Sequence, residues 1–194
     1  MTFALPIVSP PIFHHVKYLE RSEVVLALKR GVWATPRREV VEIRDAEKSN
    51  LLFTFRNDRS SPCLYNSYGG LVFFFPKRMR DGVIEINAHN STRRADLRVN
   101  TTDKNRNLMA IATLPGRAEA RVFLTGGMFG PNGDGNALMM EGDVPVVAVS
   151  TSCQKNLSPV VIVDKDTYFV TVAPGFDISL AVAARLIFEE LGRC

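Results

Sequence analysis

The sequence predicts a mainly β domain of roughly twelve antiparallel strands, closed into a barrel around one buried hydrophobic C-terminal helix. Three observations carry that expectation. Short apolar or alternating runs recur along the 194 residues with turn residues between them. No strand–helix alternation appears, which argues against a parallel βαβ fold. The last long apolar run, Ile178 to Phe188, is interrupted only by Ser179 and Arg185. A helix apolar around most of its circumference must be buried on most sides.

The runs come in order. "EVVLALK" (23–29), "EVVEIR" (39–44), "LLFTFR" (51–56) and "LVFFF" (71–75) lead. "GVIEIN" (82–87), "ADLRVN" (95–100), "LMAIATL" (108–114) and "ARVFLT" (120–125) follow. "NALMMEG" (136–142), "VPVVAVST" (144–151), "VVIVD" (160–164) and "TYFVTVA" (167–173) close the series. Each is near the ordinary strand length of about five or six residues. In "TYFVTV", Tyr168, Val170 and Val172 share one face and Phe169 and Thr171 the other. Gly69-Gly70, Asp81-Gly82, Asn132-Gly133 and Asp134-Gly135 supply turn chemistry where hairpins need it.

Residues 1–16 read as an extended arm, because prolines at 6, 10 and 11 break the apolar start. Residues 17–194 read as a single domain whose helix occupies 177–191, with Asp177 as N-cap. Eleven residues of helix (178–188) span roughly 16 Å, about half a bilayer's hydrocarbon core, so a membrane span is rejected on length. The economical container for such a helix is a sheet closed around it. Two sandwiched sheets capped by the helix is the alternative.

Composition excludes several classes. With 46% hydrophobic and 23% charged residues, extensive disorder is not expected. Three separated cysteines without C-x-x-C spacing argue against a disulfide scaffold or structural zinc, and a cytoplasmic setting fits them. No cofactor and no metal is expected. His14 and His15 are adjacent in an extended arm and point opposite ways, which leaves only His89 to complete a site. The glycine-rich stretch 126–136 ends in neither a phosphate-loop lysine nor a calcium-loop glutamate, and reads as a hairpin loop. No G-x-S-x-G elbow or placed triad appears, so catalytic residues are not assignable. The acid pairs Glu39/Glu42 and Glu189/Glu190 read as exposed strand and helix-end residues.

The segment "DKDTYFVTVAPGFDISLAVAARLIFEEL" resembles the C-terminal signature of LURP-one-related proteins, which belong with tubby proteins and phospholipid scramblases in the tubby C-terminal-like group. The matching features are the strand Val170-Thr171-Val172, then Pro174, Asp177 and the hydrophobic helix Ile178 to Leu191. "EIRDAEKSNLLFTFRNDRSSPCLYNSYGGLVFFF" and "ADLRV" are similar to earlier strands of the same family. The resemblance implies a twelve-stranded barrel threaded by its C-terminal helix. The scramblases' cysteine-rich run is absent here.

Charge adds a functional expectation. Between 77 and 106 stand Lys77, Arg78, Arg80, Arg93, Arg94, Arg98, Lys104 and Arg106 against Asp81, Glu85, Asp96 and Asp103. That surplus of four equals the net charge of the whole chain, +4. In tubby-like proteins a basic surface of the barrel binds phosphoinositide headgroups. By resemblance, Lys77, Arg78 and Arg80 with Arg93 and Arg94 are the candidate residues, and peripheral association with an anionic membrane surface is the leading expectation. Adjacent hairpin loops are expected to bring the two groups together. The bland counterpart is a solvated charged face. Nucleic acid ranks lower, because the stretch lacks interleaved aromatics for base stacking. The competing expectation is a carrier of, or an enzyme acting on, an apolar small molecule in the barrel interior, lined by Phe73, Phe75, Met109, Met139 or Met140.

Overall fold

The computed structural model describes residues 4–9, 11, 16–29, 40–57, 61–75, 83–88, 97–100, 108–112, 120–125, 137–151, 153, 157–159, 161, 163 and 166–191. The fold is mainly β, antiparallel throughout, with one C-terminal helix. Strands β1 (Val24–Lys29), β2 (Val40–Asp45), β3 (Leu51–Arg56), β4 (Cys63–Asn66) and β5 (Leu71–Phe74) come first. After them come β6 (Val83–Ala88), β7 (Leu97–Asn100), β8 (Leu108–Ala112) and β9 (Ala120–Thr125). β10 (Ala137–Glu141), β11 (Val144–Ser150), β12 (Thr167–Val172) and the helix α1 (Ile178–Leu191) complete the chain.

Eight of these strands form one continuous antiparallel sheet whose side chains are described, in the order β10-β11-β12-β1-β2-β3-β4-β5. The join between the first and last strands of the domain is the longest register, running from Val24 opposite Val172 to Lys29 opposite Thr167. Backbone ladders continue from β5 through β6, β7, β8 and β9 to β10.

Alternation decides which side chains face the core. Val41 and Ile43 of β2, Phe53 and Phe55 of β3, and Tyr168, Val170 and Val172 of β12 join one cluster with the buried face of α1. Phe169 turns the other way and packs with Val25, Ala27 and Ala46 in a smaller outer cluster, covered by Cys153, Leu157 and Val161. β1 is therefore buried on both faces.

Two strand expectations differ from the structure. "VVIVD" supplies no strand among the described residues. Its Val161 closes a turn by donating to the Ser158 carbonyl and packs outside the sheet, while Val163 is exposed. In its place stands β4, "CLYN", which sends only Leu64 fully into the core. Four residues with Cys and Asn among them give no periodic signal. The strand is defined by its partners, Phe55 opposite Leu64 on one side and Phe73 opposite Leu64 on the other. The turn that follows is the Gly69-Gly70 turn expected. Asn66 Oδ1 accepts from the backbone N–H of Tyr68 and Gly70, and Gly69 adopts φ 80°.

The helix is buried all round, as its apolarity requires: every residue from Ile178 to Ile187 is buried. It approaches both β12 and β7, strands well separated in the sheet order. Asp177 caps it. Its Oδ1 accepts from Ser179 N at 2.7 Å, Ser179 Oγ at 2.6 Å and Leu180 N at 3.4 Å, satisfying N–H groups that the first turn leaves open. The N-terminal arm lies against this same turn. Leu5 and Val8 are buried in the main core, Leu5 N donates to Glu23 Oε2, and Val8 N donates to the Pro174 carbonyl.

Candidate functional site

α1 runs about 21 Å at 1.5 Å per residue, and over its fully buried stretch every residue but two is apolar. Ser179 is one, and it is satisfied by the Asp177 cap. Arg185 is the other, and nothing in the local fold accounts for it in the same way. Its side chain is 4% exposed. One helical turn on, Glu189 lies on the same face with 10% of its side chain exposed, and its Oε2 stands 3.9 Å from Arg185 Nη2. The sequence reading of Glu189 as an exposed helix-end residue is therefore corrected. A cation four residues back draws its carboxylate against the helix.

From the sheet side, β12 supplies Tyr168, whose residue is fully buried. The guanidinium carbon of Arg185 lies 4.3 Å from the centre of its ring. A desolvated cation over an aromatic face gains about 2 kcal/mol. The carboxylate at 3.9 Å adds Coulomb attraction of about 4 kcal/mol at an effective dielectric near 20. Neither contact is a hydrogen bond, since 3.9 Å is beyond that range. Nε and Nη1 of Arg185 are buried and have no hydrogen-bond partner among the described residues. Each unmet buried donor costs about 1–3 kcal/mol. Arg185 thus has its charge offset by Glu189 while Nε and Nη1 remain without a hydrogen-bond partner among the described residues. The signal in the sequence was a single Arg inside an otherwise apolar helix, four residues before a Glu.

The residues expected from the sequence fall as follows. Lys77, Arg78, Arg80, Arg93 and Arg94 lie outside the described residues, as do His14, His15, His89 and the 126–136 stretch.

Of the expected interior lining, Phe73, Phe75 and Met139 are fully buried in the core cluster that includes α1. Met140 is half-buried on β10, and Met109 occupies β8 opposite Phe123 and Asn100. Among the described residues no group of three or more His, Cys, Asp or Glu side chains could hold a metal ion. No described helix is long and apolar enough to cross a membrane.

A family model described as LURP-one-related matches residues 24–189. No curated protein matches the chain. Among solved structures, an X-ray structure of a protein from Arabidopsis thaliana is similar with a TM-score of 0.63. The likeness covers 93% of this chain and 98% of that one at 15% sequence identity. At that identity it speaks to the fold.

Proposed function

The chain belongs to the LURP-one-related family, and on that premise we propose that it is a binding module that associates peripherally with anionic phospholipid headgroups, phosphoinositides among them. The observation that carries this reading is the concentration of the chain's whole net charge, +4, in residues 77–106. Arg and Lys suit phosphate as a two-donor fork and a point charge respectively. Lys77, Arg78 and Arg80 with Arg93 and Arg94 are the residues proposed to make the contact. The architectural part of the reading is a closed, tubby-like barrel around α1. The ladders leading from β5 to β10 and the approach of α1 to both β12 and β7 support it.

The test is vesicle sedimentation at low and high salt, with phosphatidylcholine alone and with added phosphoinositide. The expected result is pelleting only with phosphoinositide, weakened by salt as exposed charge pairs are screened. Lys77→Ala/Arg78→Ala/Arg80→Ala is expected to lose most of it, and Arg93→Ala/Arg94→Ala less. Unchanged pelleting by both variants would remove the proposed surface.

A further inference from the structure

We propose that the inner face of α1 carries a second binding site, in which the guanidinium of Arg185 takes the carboxylate of an apolar-tailed acid and Glu189 is the resident carboxylate that the ligand displaces. The site goes beyond the headgroup reading and does not depend on it.

Three features define the chemistry. The guanidinium carbon stands over the Tyr168 ring, 4.3 Å from its centre. Nε and Nη1 have no hydrogen-bond partner among the described residues although the side chain is 4% exposed. Arginine has two edges with paired N–H groups, Nε with Nη2 and Nη1 with Nη2, so each edge here has one open donor, and such an edge matches the two oxygens of a carboxylate. Glu189 comes close to that geometry and stops short of it, at 3.9 Å from Nη2. It neutralises the cation without saturating its donors. Glu189 is the more exposed of the pair and the nearer to the helix end.

The ligand class follows from charge and surroundings. One guanidinium with a carboxylate beside it cannot compensate a multiply charged phosphate, because a buried charge is tolerated only when paired. A monoanion that replaces Glu189 leaves the pair balanced. On the same face of the helix, one turn before Arg185, stand Ala181 and Val182, both buried in the apolar core. Such walls favour an alkyl or other apolar tail over a polar one.

The probe is decanoate, with decanol as its neutral counterpart, titrated calorimetrically into the full-length protein. Decanoate is expected to bind and decanol not to. Glu189→Gln removes the resident anion and should tighten decanoate at least about tenfold, and Arg185→Met should weaken it by at least as much, as expected for a charge-assisted bond. Arg185→Lys keeps the charge without the fork and should fall between. Binding by Glu189→Gln alone still supports displacement. Equal affinity in the wild type and Arg185→Met overturns the proposal, as does an absence of binding in both the wild type and Glu189→Gln. Should Arg185→Met fail to fold, Glu189→Gln and Arg185→Lys decide the matter. Vesicle sedimentation reads the headgroup surface and decanoate titration reads this site, so failure of one is distinguishable from failure of the other.

Discussion

Val8 and Gly175 meet backbone to backbone: a Cβ on Gly175 would stand 2.6 Å from the carbonyl oxygen of Val8. Gly175 also has φ 85°, a conformation that costs a side-chain-bearing residue about 1–2 kcal/mol. Around this contact the arm is tied by Val8 N to the Pro174 carbonyl at 2.9 Å, and Gly175 N donates to the Glu20 carbonyl at 3.1 Å. The glycine is what allows the arm, the segment before β1 and the helix start to converge.

Gly175→Ala is therefore expected to lower stability by about 2–3 kcal/mol, from backbone strain plus displacement of Val8. Urea unfolding measures it. Removing residues 1–9 relieves the clash and leaves the strain. In the shortened chain the same substitution should cost about 1–2 kcal/mol. An equal loss in both backgrounds would mean that the arm contact contributes nothing.

Asp177 is fully buried and its Oδ1 holds three donors at the helix start. Asp177→Ala should cost about 2 kcal/mol, the upper part of the range for a lost N-cap, since the released N–H groups are buried. Asp177→Asn keeps an acceptor oxygen and should lose less than half of that. Chemical denaturation of the two variants side by side checks the ordering. Equal losses would place the effect in the charge instead of the acceptor.

Much of this was legible because the responsible physics is local. Asp177 before an apolar run announces a cap, the alternation of Tyr168, Val170 and Val172 announces a core face, and Gly69 announces its turn. What was not legible depends on partners distant in sequence. Leu64 and its short strand are fixed by Phe55 and Phe73 on either side. Val161 looks like a strand residue, yet it serves as a lid on Val25, Ala27, Ala46 and Phe169. Arg185 was visible as an oddity in its helix, but its meaning needed Tyr168, which lies seventeen residues earlier on β12 and meets it only across the fold.

Ala181 and Ala183 are both fully buried, as is Val182 between them, so the helix is in contact with its surroundings on all sides at this level. Ala183 is two residues from Arg185 and so faces away from it, and a larger side chain there has to move a neighbour. Ala183→Leu should lower stability by about 1–3 kcal/mol, the usual cost of overpacking. A thermal unfolding scan suffices. A stability equal to or above the wild type would reveal spare room on this side of the helix.

Charge and volume are separable at Arg185. Arg185→Met keeps most of the side chain's bulk and removes a buried cation that Glu189 approaches only to 3.9 Å. Replacing buried ionic groups by apolar ones of similar size is often neutral or stabilising by about 1–4 kcal/mol. Stability is expected to hold or rise, because the two donors without partners disappear along with the charge. Arg185→Ala removes the bulk as well and exposes the Tyr168 ring face to a void, so it should cost about 2–5 kcal/mol, the range for large-to-small changes in a core. Unfolding midpoints in urea compare the pair. If Met proves as damaging as Ala, the guanidinium itself holds the fold together. If Met is tolerated, the arginine is kept at a cost to stability, as expected of a residue retained for what it binds.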